Sequence, residues 1–452
     1  MGQQQTTGTT TSNSEQQQTE IMPSTSSNLI PKTPPTTTSL INYYFLNSFE
    51  FCTILSMLVE QVADKLSSTI LGTPIIKQQQ PELKEDNKQQ ILNVNNLCCD
   101  QGSSGDDRSE SNILGEDEDE FEGFELSDLK TITTLGIGGF GRVNLVRHID
   151  RDKVYALKIL NKQHVKNKNQ ASFERENSRK ISLEIEHVQN ERAILLECHC
   201  DFIIRLHKTF RDSERVYMLM EYCPGGDLWT VLRSFLRLDE KKARYYCAAA
   251  LEAFDYLHKR LIIYRDLKPE NMLLDINGIP KLVDFGFAKR LPSEMDRAWT
   301  FCGTTEYVAP EVILGEGQDS GVDIWSLGIF LYEMLTGSPP FAASEPMLTY
   351  GAIIKGVQNL SWPRYISDNS RLLIFKLCRK NATQRLGYGH FDDLRKDIWF
   401  EGFDFTSFRN HSMRPPIRPK VLSLTDTRNF DRFSSTDDFA CGSDDDGWDE
   451  DF

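Results

Sequence analysis

Two neighbouring runs near the middle of the chain carry the residue types that phosphoryl transfer requires. Residues 264–271 read Tyr-Arg-Asp-Leu-Lys-Pro-Glu-Asn, and an Asp-Phe-Gly triplet follows shortly afterwards at Asp284. Asp266 could accept the proton of a hydroxyl group, and Lys268 could neutralise charge on a moving phosphoryl group. Asn271 and Asp284 could hold magnesium ions. Any one of these residues alone would be an ordinary polar loop residue, so their order and spacing carry the prediction.

A glycine-rich loop precedes these runs, between two strand-like segments. Gly136, Gly138, Gly141 and Val143 follow the G-x-G-x-x-G-x-V pattern, in which glycine lets backbone N–H groups approach phosphates closely. A dinucleotide-binding fold uses the same glycine spacing, but there a helix follows the loop and an acidic residue about 20 positions later holds a ribose. Here a strand-like segment follows, so the loop is predicted to cradle the phosphates of a nucleoside triphosphate.

Lys158 ends a Tyr-Ala-Leu-Lys run on a predicted strand, where such a lysine grips the α- and β-phosphates. A lone strand lysine is usually a solvated edge residue, and this one needs a carboxylate to hold it in place. Glu191, on the next predicted helix, is the preferred partner. Spacing alone leaves Glu184, Glu186 and Glu197 as competitors.

The composition is that of an ordinary soluble globular protein, with 452 residues of which 39% are hydrophobic and 26% are charged. The net charge of -15 argues against a nucleic-acid or anionic-membrane binder and suits basic partners. The cysteines show no zinc-ligand spacing, which favours free thiols in a reducing cytosol. No basic start precedes an apolar run, so no secretory signal is predicted and a cytoplasmic localisation is expected.

Three regions precede the main domain. Residues 1–38 are rich in Gln, Thr and Ser and are predicted to be disordered, because they can bury too little apolar surface. Residues 39–72 place apolar side chains at roughly helical spacing and predict a short amphipathic helix, whose clean apolar stretch is too short to cross a bilayer. Residues 73–128 predict an acidic, polar linker.

The start of the chain matches the N-myristoylation pattern through Gly2 and Thr6. Chance would also produce this match in a tract rich in Gln and Thr. A single acyl chain without a basic patch anchors a protein weakly. Membrane association is therefore expected only if Gly2 carries the lipid.

The residue pattern changes at Leu129. Residues 129–160 alternate like strands broken by glycine, whereas 187–197 and 240–258 predict helices. After Asp323 the pattern is mainly helical. Strands followed by helices predict an α+β protein with two lobes.

Longer matches point to a family. From Leu129 onward the sequence resembles the catalytic portion of the cGMP-dependent protein kinases, within the wider group that includes the cAMP-dependent kinases. The matching segments are residues 135–143, 217–221, 283–289, 335–341 and 447–452. The last two segments point to the cGMP-dependent branch.

This resemblance implies a bilobal protein kinase fold, with a small antiparallel β-sheet lobe that carries one main helix and a larger, mainly helical lobe. The kinase domain would span 129–403, and 404–452 would be the C-terminal tail typical of AGC-type kinases. The implied activity is that of a Ser/Thr protein kinase using ATP and Mg²⁺. A buried ion pair between Glu311 and Arg385 is also implied. The charged stretch 166–184 is longer than usual for the family and is expected to be a surface loop.

The resemblance also implies a set of ATP-binding residues. They are Gly136, Ile137, Gly138, Gly139, Phe140, Gly141, Val143, Ala156, Lys158, Met220, Glu221, Cys223, Leu273 and Phe430. Met220 would lie behind the adenine, and Glu221 and Cys223 would offer it backbone hydrogen bonds. Phe430 belongs to a tail segment that would cross the nucleotide site, and Phe452 would dock on the small lobe.

Three acids, Asp227, Glu270 and Glu333, match family positions that bind arginines just before the phosphorylated residue. Because carboxylates pair with guanidinium groups in a bidentate way, the implied substrates are proteins with basic residues before a Ser or Thr. The alternative is that these are ordinary surface acids of an acidic protein. Thr304 is also implied to contact the substrate. Thr305 stands where the family has proline, and we expect it to loosen the peptide-docking loop.

Thr300 matches the regulatory phosphorylation site of the family's activation loop. Its phosphate would be clamped by Arg265, with Lys289 and His187 adding to the clamp. Such a clamp would align Asp266 with the rest of the site.

Control of the enzyme is left open by the sequence. A cyclic-nucleotide-binding domain needs on the order of 100 residues and an arginine for the cyclic phosphate, and the first arginine of the chain is Arg108. Direct control by cGMP is therefore not expected. The alternatives are a free catalytic unit, a cAMP-type catalytic subunit restrained by a regulatory subunit in trans, and part of a longer gene product. A pseudokinase scaffold is disfavoured because Lys158, Asp266 and Asp284 are all present.

Overall fold

The computed structural model of the protein describes residues 121, 123–139, 141–167, 174–433 and 447–452. The predictions of disorder at 1–38, of an amphipathic helix at 39–72 and of a lipid on Gly2 therefore lie outside the described residues, as does most of the predicted linker.

The small lobe is one antiparallel sheet with a long helix beside it. Its strands are β1 (Leu129–Ile137), β2 (Gly141–His148), β3 (Val154–Asn161), β4 (Leu206–Arg211) and β5 (Arg215–Met220), in the order β1-β2-β3-β5-β4. Two helices, α1 (Lys162–Asn167) and α2 (Glu174–Glu197), lie between β3 and β4 in the chain. The strands predicted from the alternating pattern are confirmed.

Helix α2 begins earlier than the sequence indicates. A helix is predicted over 187–197 and a surface loop over 166–184, but α2 starts at Glu174 and runs without a break to Glu197. The loop prediction is therefore wrong from Glu174 onward. Residues 174–184 contain neither glycine nor proline and are mostly residues of fair to good helix propensity, so nothing in them ends the helix.

The residues just before β1 belong to the small lobe. Leu126–Asp128 forms a short 3-10 helix, and Phe124 is buried in an apolar cluster on the outer face of the sheet. Lys208 donates from Nζ to the carbonyl oxygens of Phe121 and Phe124, at 3.1 and 2.8 Å. Two aromatic side chains thus attach the end of the acidic 73–128 segment to the sheet.

The large lobe is mainly helical. Its helices are α3 (Leu228–Phe235), α4 (Glu240–His258), α5 (Pro310–Leu314), α6 (Gly321–Thr336), α7 (Pro346–Lys355), α8 (Asp368–Leu377), α9 (Phe391–Arg395) and α10 (Phe405–Arg409). Nearly all of α6 is buried, including Trp325 and Phe330. Small buried residues such as Ala248 and Ala250 on α4 allow close helix packing around it. The predictions of a helix at 240–258 and of helices after Asp323 are confirmed.

Short strand pairs in the large lobe position the two runs singled out in the sequence. Strand β6 (Ile262–Ile263) pairs with β9 (Lys289–Arg290), and β7 (Met272–Leu274) pairs with β8 (Pro280–Leu282). The first run ends where β7 begins, and Asp284 follows β8. The backbone N–H of Val283 donates to the carbonyl oxygen of Asn271 at 3.0 Å, so the two runs lie side by side.

Among the described residues, each helix is either too short or too polar to span a bilayer.

Candidate active site

Three side chains converge on the carboxylate of Asp266, which is only 2% exposed. Its Oδ1 accepts a hydrogen bond from the Thr304 hydroxyl at 2.7 Å. Its Oδ2 accepts from Lys268 Nζ at 2.9 Å and from Asn271 Nδ2 at 2.8 Å. Lys268 also donates to the Thr304 hydroxyl at 2.9 Å. The Asp266 carboxylate is therefore held in one orientation, and one of its oxygens already accepts a hydrogen bond from a hydroxyl group.

The loop that carries Asp266 is fixed from below by a buried carboxylate. The backbone N–H groups of Tyr264 and Arg265 donate to the two oxygens of Asp323, at 2.9 and 2.8 Å. Arg265 has a φ of 70°, a left-handed conformation that costs a non-glycine residue free energy. The Tyr264 ring packs against Phe285 with centroids 5.1 Å apart, which joins the loop to the Asp-Phe-Gly turn. The start of α6 thus holds this strained loop in place.

Lys158 and Glu191 form the predicted ion pair, with Nζ 2.6 and 2.7 Å from the two carboxylate oxygens. Burial alone would lower the pKa of Lys158, but the charges of Glu191 and Asp284 outweigh it and raise the pKa above its usual value. Two of the competing acids have other partners. Glu186 contacts Lys289 at 3.2 Å, and Glu197 contacts Arg290.

Asp284 lies between the two halves of the site. Its φ of 59° places it in the left-handed region, and its charge acts on both Lys158 and Glu191. Asn271 and Asp284 supply an amide oxygen and a carboxylate, the oxygen ligands that magnesium prefers. Groups of three or more protein side chains that could cage a metal are absent from the described residues.

In the glycine-rich turn between β1 and β2, the space available for a side chain differs from one glycine to another. A Cβ on Gly141 would lie 1.8 Å from the carbonyl oxygen of Ile159, so only glycine fits there. Around Gly136 a Cβ would meet nothing within 4 Å. Gly138 donates from its N–H to the Gly141 carbonyl at 2.8 Å, which closes the turn. Phe140 lies outside the described residues.

The slot in which the resemblance places adenine would lie beneath this turn. Phe430 of the tail packs with Val143 and Ala156 in one small cluster, and Ala156 is paired with Met220 across β3 and β5. Leu273 on β7 packs against the main core. These side chains come from both lobes and from the tail, as the resemblance to the kinase family implies.

The segment after β5 offers backbone groups to this slot. The N–H of Glu221 donates to the carbonyl oxygen of Arg205 at 3.0 Å, so this N–H already has a partner within the protein. The Glu221 carboxylate lies 3.2 Å from Lys281, and Cys223 is buried. Tyr222 was missed by the sequence reasoning. Its ring stacks on Phe430 with centroids 5.9 Å apart. In the sequence, the only indication of this role was that an aromatic residue lies next to the predicted adenine contacts.

Comparison with known proteins assigns the family. The family model described as "Protein kinase domain" matches residues 129–400. The chain belongs to the protein kinase family. A cGMP-dependent protein kinase of Drosophila melanogaster, isozyme 2 forms cD5/T2, is 47% identical over 337 residues, which are 74% of this chain and 34% of that protein.

Two further relatives give the same picture. The cGMP-dependent protein kinase egl-4 of Caenorhabditis briggsae is 46% identical over 344 residues, covering 75% of this chain and 44% of the relative. The human cGMP-dependent protein kinase 2 is 43% identical over 334 residues, covering 72% of this chain and 41% of the relative. The chain thus spans less than half the length of these relatives, and the likeness concerns a serine/threonine kinase domain.

The three acids that are expected to bind basic residues of the substrate lie in different environments within the kinase domain. Asp227 caps α3 and accepts from the Thr230 N–H at 2.7 Å. Burial, with the nearby charges, raises the pKa of Glu270 and of Glu333 to about 7. The Tyr307 hydroxyl donates to Glu333, a partner that the sequence reasoning did not identify. The charge of Glu270 contributes to the raised pKa of Glu333, so the two acids lie near each other.

Basic groups gather near Thr300. Arg265 donates from Nε to the Phe287 carbonyl at 2.7 Å, and Thr300 accepts at its carbonyl from Gln318 Nε2 at 2.8 Å. Burial and the charge of Arg265, to which Lys289 adds, lower the pKa of His187 to about 4. Arg265 and Lys289 therefore both lie close enough to act on the charge of His187.

The C-terminus docks on the small lobe. Asp449 lies 2.7 Å from Lys162, and both side chains are 4% exposed. Gln189 on α2 donates to the Trp448 carbonyl at 2.7 Å, and the Arg192 guanidinium lies 5.2 Å from the centre of the Phe452 ring. Sequence reasoning placed Phe452 here but missed Asp449.

Two further features singled out by the resemblance have defined contacts. The buried ion pair between Glu311 and Arg385 is present, with bidentate distances of 2.6 and 2.7 Å. Thr305, which replaces a proline, lies 3.5 Å from the Tyr350 hydroxyl, a separation that gives only a weak hydrogen bond.

Proposed function

We propose that the protein transfers the γ-phosphoryl group of MgATP to Ser or Thr residues of proteins that carry basic residues just before the acceptor. The observation that supports this most strongly is the cluster around Asp266, in which Lys268 and Thr304 already share one carboxylate. In a substrate complex the acceptor hydroxyl would take up a position like that of the Thr304 hydroxyl and donate its proton to Asp266.

Other residues of the chain would position the reacting groups. Lys268 is placed to neutralise charge on the phosphoryl group as it moves from ADP to the acceptor oxygen. Lys158, held by Glu191, would fix the α- and β-phosphates. Magnesium bound by Asn271 and Asp284 would supply the charge that offsets the triphosphate.

The adenine of ATP would lie in the slot beneath the glycine-rich turn. Val143 and Ala156 would cover one face of the base and Leu273 the other. The Glu221 carbonyl and the backbone of Cys223 would bind its polar edge. Met220 would close the back of the slot, while Phe430 would cover its opening.

The expected substrate class follows from the acidic pair and Asp227. Glu270 and Glu333 lie close together and would bind neighbouring arginines or lysines by bidentate, charge-assisted hydrogen bonds. A buried acid with a raised pKa loses its proton more readily when a guanidinium group approaches. The same carboxylates would repel acidic substrates, so the pair would favour basic substrates and exclude acidic ones.

The names of the relatives describe cGMP-dependent enzymes, but we propose a different control for this chain. We favour control by a regulatory subunit in trans or by Thr300 phosphorylation over direct binding of cGMP to the described residues. A cAMP-type catalytic subunit has the same chemistry and differs only in its regulator. A cytoplasmic location is proposed because the thiols of the described cysteines are free.

Phosphate transfer to an arginine-rich serine peptide, measured with and without cGMP, tests the proposal. We expect magnesium-dependent transfer that cGMP leaves unchanged, and an Asp266→Asn enzyme that binds ATP but does not turn over. A matched peptide with glutamates in place of the arginines should be a poor substrate. A wild-type protein that binds no ATP in the presence of magnesium would overturn the function, and a cGMP-stimulated rate would overturn the regulatory part alone.

A further inference from the structure

Tyr222 lies in the connecting segment between the two lobes, which runs from the end of β5 at Met220 to Asp227, the cap of α3. Its side chain makes two separate contacts with the C-terminal tail. The hydroxyl donates to the backbone carbonyl oxygen of Asp426 at 2.7 Å, and the ring stacks on Phe430 with an interplanar angle of 27°. One side chain of the connecting segment therefore holds the tail at two points.

We propose that Tyr222 is a positioning residue for ATP, which acts through Phe430. The proposed function places Phe430 over the opening of the adenine slot, so this inference rests on that function. The Tyr222 ring would keep the Phe430 ring against the small apolar cluster that contains Ala156, and the hydroxyl would hold the tail turn that leads to it. Tyr222 would then set the affinity for the nucleotide and leave the transfer step unchanged.

The tail turn before Phe430 is internally ordered. The Asp426 carboxylate accepts from the backbone N–H groups of Leu422 and Arg428, at 2.7 and 3.1 Å, and lies 2.7 Å from Nε of Arg428. The Phe430 N–H then donates to the Thr427 carbonyl oxygen at 3.0 Å. A hydrogen bond to the Asp426 carbonyl therefore fixes the position of the whole turn and, with it, the start of the segment that carries Phe430.

The same turn packs incompletely on the rest of the protein. A cleft of about 250 Å³ lies beside it, and Tyr222 forms part of the wall. Leu424 of the tail and Ile276 of the large lobe also line this cleft, and their side chains remain 50% and 48% exposed. Atoms that border a void lose contacts on that side. The Tyr222 hydroxyl thus supplies a polar attachment where apolar packing is weak.

A second attachment lies one residue before Phe430 and does not involve Tyr222. Asn429 donates from Nδ2 to the Pro224 carbonyl oxygen at 2.9 Å. Its backbone also runs close to Gly226, where an added Cβ would lie 2.5 Å from the Asn429 carbonyl oxygen. These contacts bring the tail to the connecting segment, whereas the stack with Tyr222 acts on the Phe430 ring itself.

Calorimetric titration of the full-length protein with MgATP, together with kinetics on an arginine-rich serine peptide, tests this role. Tyr222→Leu removes both the ring and the hydroxyl. We expect it to raise Kd and KM for ATP about tenfold, since a ring stack and a hydrogen bond are lost, while kcat stays within about twofold. Tyr222→Phe keeps the ring, so it should recover most of the affinity. Tyr217→Phe is the matched control on β5, because its hydroxyl binds Asp212 within the small lobe at 2.6 Å, and it should leave Kd unchanged.

A double variant shows whether Tyr222 acts through Phe430. Phe430→Ala alone should weaken ATP binding to a similar degree. Adding Tyr222→Leu to it should cause little further loss, because the ring that Tyr222 positions is already gone. Without nucleotide, hydrogen exchange of the backbone N–H groups in 422–430 should be faster in both Tyr222→Leu and Tyr222→Phe than in the wild type.

The outcomes separate this inference from the proposed function. A wild-type protein that binds no MgATP would overturn both. If the wild type binds MgATP and Tyr222→Leu binds it equally well, the function stands and the inference is wrong. Losses that multiply in the double variant, or a fall in kcat at constant KM, would also contradict it. Should Tyr222→Leu fail to fold, unchanged exchange of the tail turn in Tyr222→Phe would exclude the role of the hydroxyl.

Discussion

Lys158 on β3 and Glu191 on α2 meet across 33 residues of sequence, with Nζ 2.6 Å from one carboxylate oxygen. The glutamate side chain is 4% exposed and the lysine 22%. The pair couples the position of the long helix to the sheet, and Asp284 adds its charge to the same lysine. The proposed phosphate-binding side of the cleft is therefore assembled only when α2 lies against β3.

Glu191→Gln should uncouple this arrangement. The substitution keeps the shape of the side chain but leaves a buried ammonium group with only Asp284 as a counter-charge. Breaking a buried ion pair by removing one partner costs about 3–5 kcal/mol, and the neutral amide should recover part of it. We expect kcat/KM for ATP to fall by roughly 10²-fold, the equivalent of about 2.7 kcal/mol. Steady-state kinetics and thermal unfolding would measure the two effects.

Glu197→Gln is the matched control for Glu191→Gln. Glu197 lies on the same helix, but its ion pair with Arg290 is exposed, with side-chain exposures of 60% and 45%. Such pairs contribute at most about 1 kcal/mol. Equal losses of activity in the two variants would show that the charge of Glu191 has no special role.

Asp266→Asn should abolish turnover and spare nucleotide binding. The amide cannot accept the acceptor proton in the way that the carboxylate does, and general-base catalysis contributes about 10²–10⁴-fold. Lys268 and Asn271 would keep hydrogen-bond partners in the loop, so the fold should be retained. Calorimetric ATP titration and a peptide-phosphorylation assay would separate binding from chemistry. A variant with wild-type kcat would remove Asp266 from the proposed reaction.

The site was more predictable than the elements that frame it. The closeness of Asp266 to Asn271 follows from motif order, because the motif requires a fixed local geometry, whereas Glu191 was the preferred partner of Lys158 among four acids that spacing alone could not separate. The start of α2 did not follow, since residues 174–184 are charged and a charged run suits either a loop or a helix. The burial of Phe124 was also not predicted, because Phe124 is one apolar residue in a segment whose composition is mainly acidic and polar.

Contacts between residues far apart in sequence were the least predictable. Glu333 is held by Tyr307, and Asp449 pairs with Lys162, yet neither partner has a local pattern that marks it. Tyr307 reads as an ordinary aromatic residue and Asp449 as one acid among many in the tail. Only the fold brings each pair together.

Binding of a basic peptide should improve as pH rises through neutrality. The pKa of Glu270 and that of Glu333 are both raised to about 7, so each carboxyl is protonated below that pH in the free enzyme. An arginine side chain binds the ionised form, and peptide binding should therefore release protons. We expect KM for the peptide to fall several-fold between pH 6 and 8. KM for ATP, measured at each pH, is the reference.

The double variant Glu270→Gln with Glu333→Gln tests the origin of that pH dependence. An amide does not titrate, so KM for the peptide should be high and nearly independent of pH in this protein. A pH profile that matches the wild type would assign the titration to another group. Replacing the arginines of the peptide by neutral residues should have the same effect as the double variant.

Thr300→Ala should lower activity strongly. Burial, with the nearby charges of Arg265 and Lys289, lowers the pKa of His187 to about 4, so basic groups lie close together here. A phosphate on Thr300 would supply about two negative charges and draw these groups together. We expect at least a tenfold loss of kcat relative to enzyme phosphorylated on Thr300. Full activity in the variant would exclude this role.

Asp449→Asn should loosen the C-terminal segment from the small lobe. Asp449 is 2.7 Å from Lys162, and both side chains are 4% exposed, so the change leaves a buried ammonium group with the Asp212 carbonyl as its hydrogen-bond acceptor, at 2.6 Å. We expect a loss of stability of about 2–4 kcal/mol. Faster hydrogen exchange in α2 should accompany it, because Gln189 binds the Trp448 carbonyl.

The neighbouring acid provides the control for this last change. Glu450 is exposed, so Glu450→Gln should leave both the unfolding temperature and the exchange of α2 unchanged. The ion pair of Asp449 would then connect the last residues of the chain to the helix that carries Glu191. If Asp449→Asn behaves like Glu450→Gln, the C-terminal segment is held by Trp448 and Phe452 alone, and the buried ion pair contributes nothing to the position of α2.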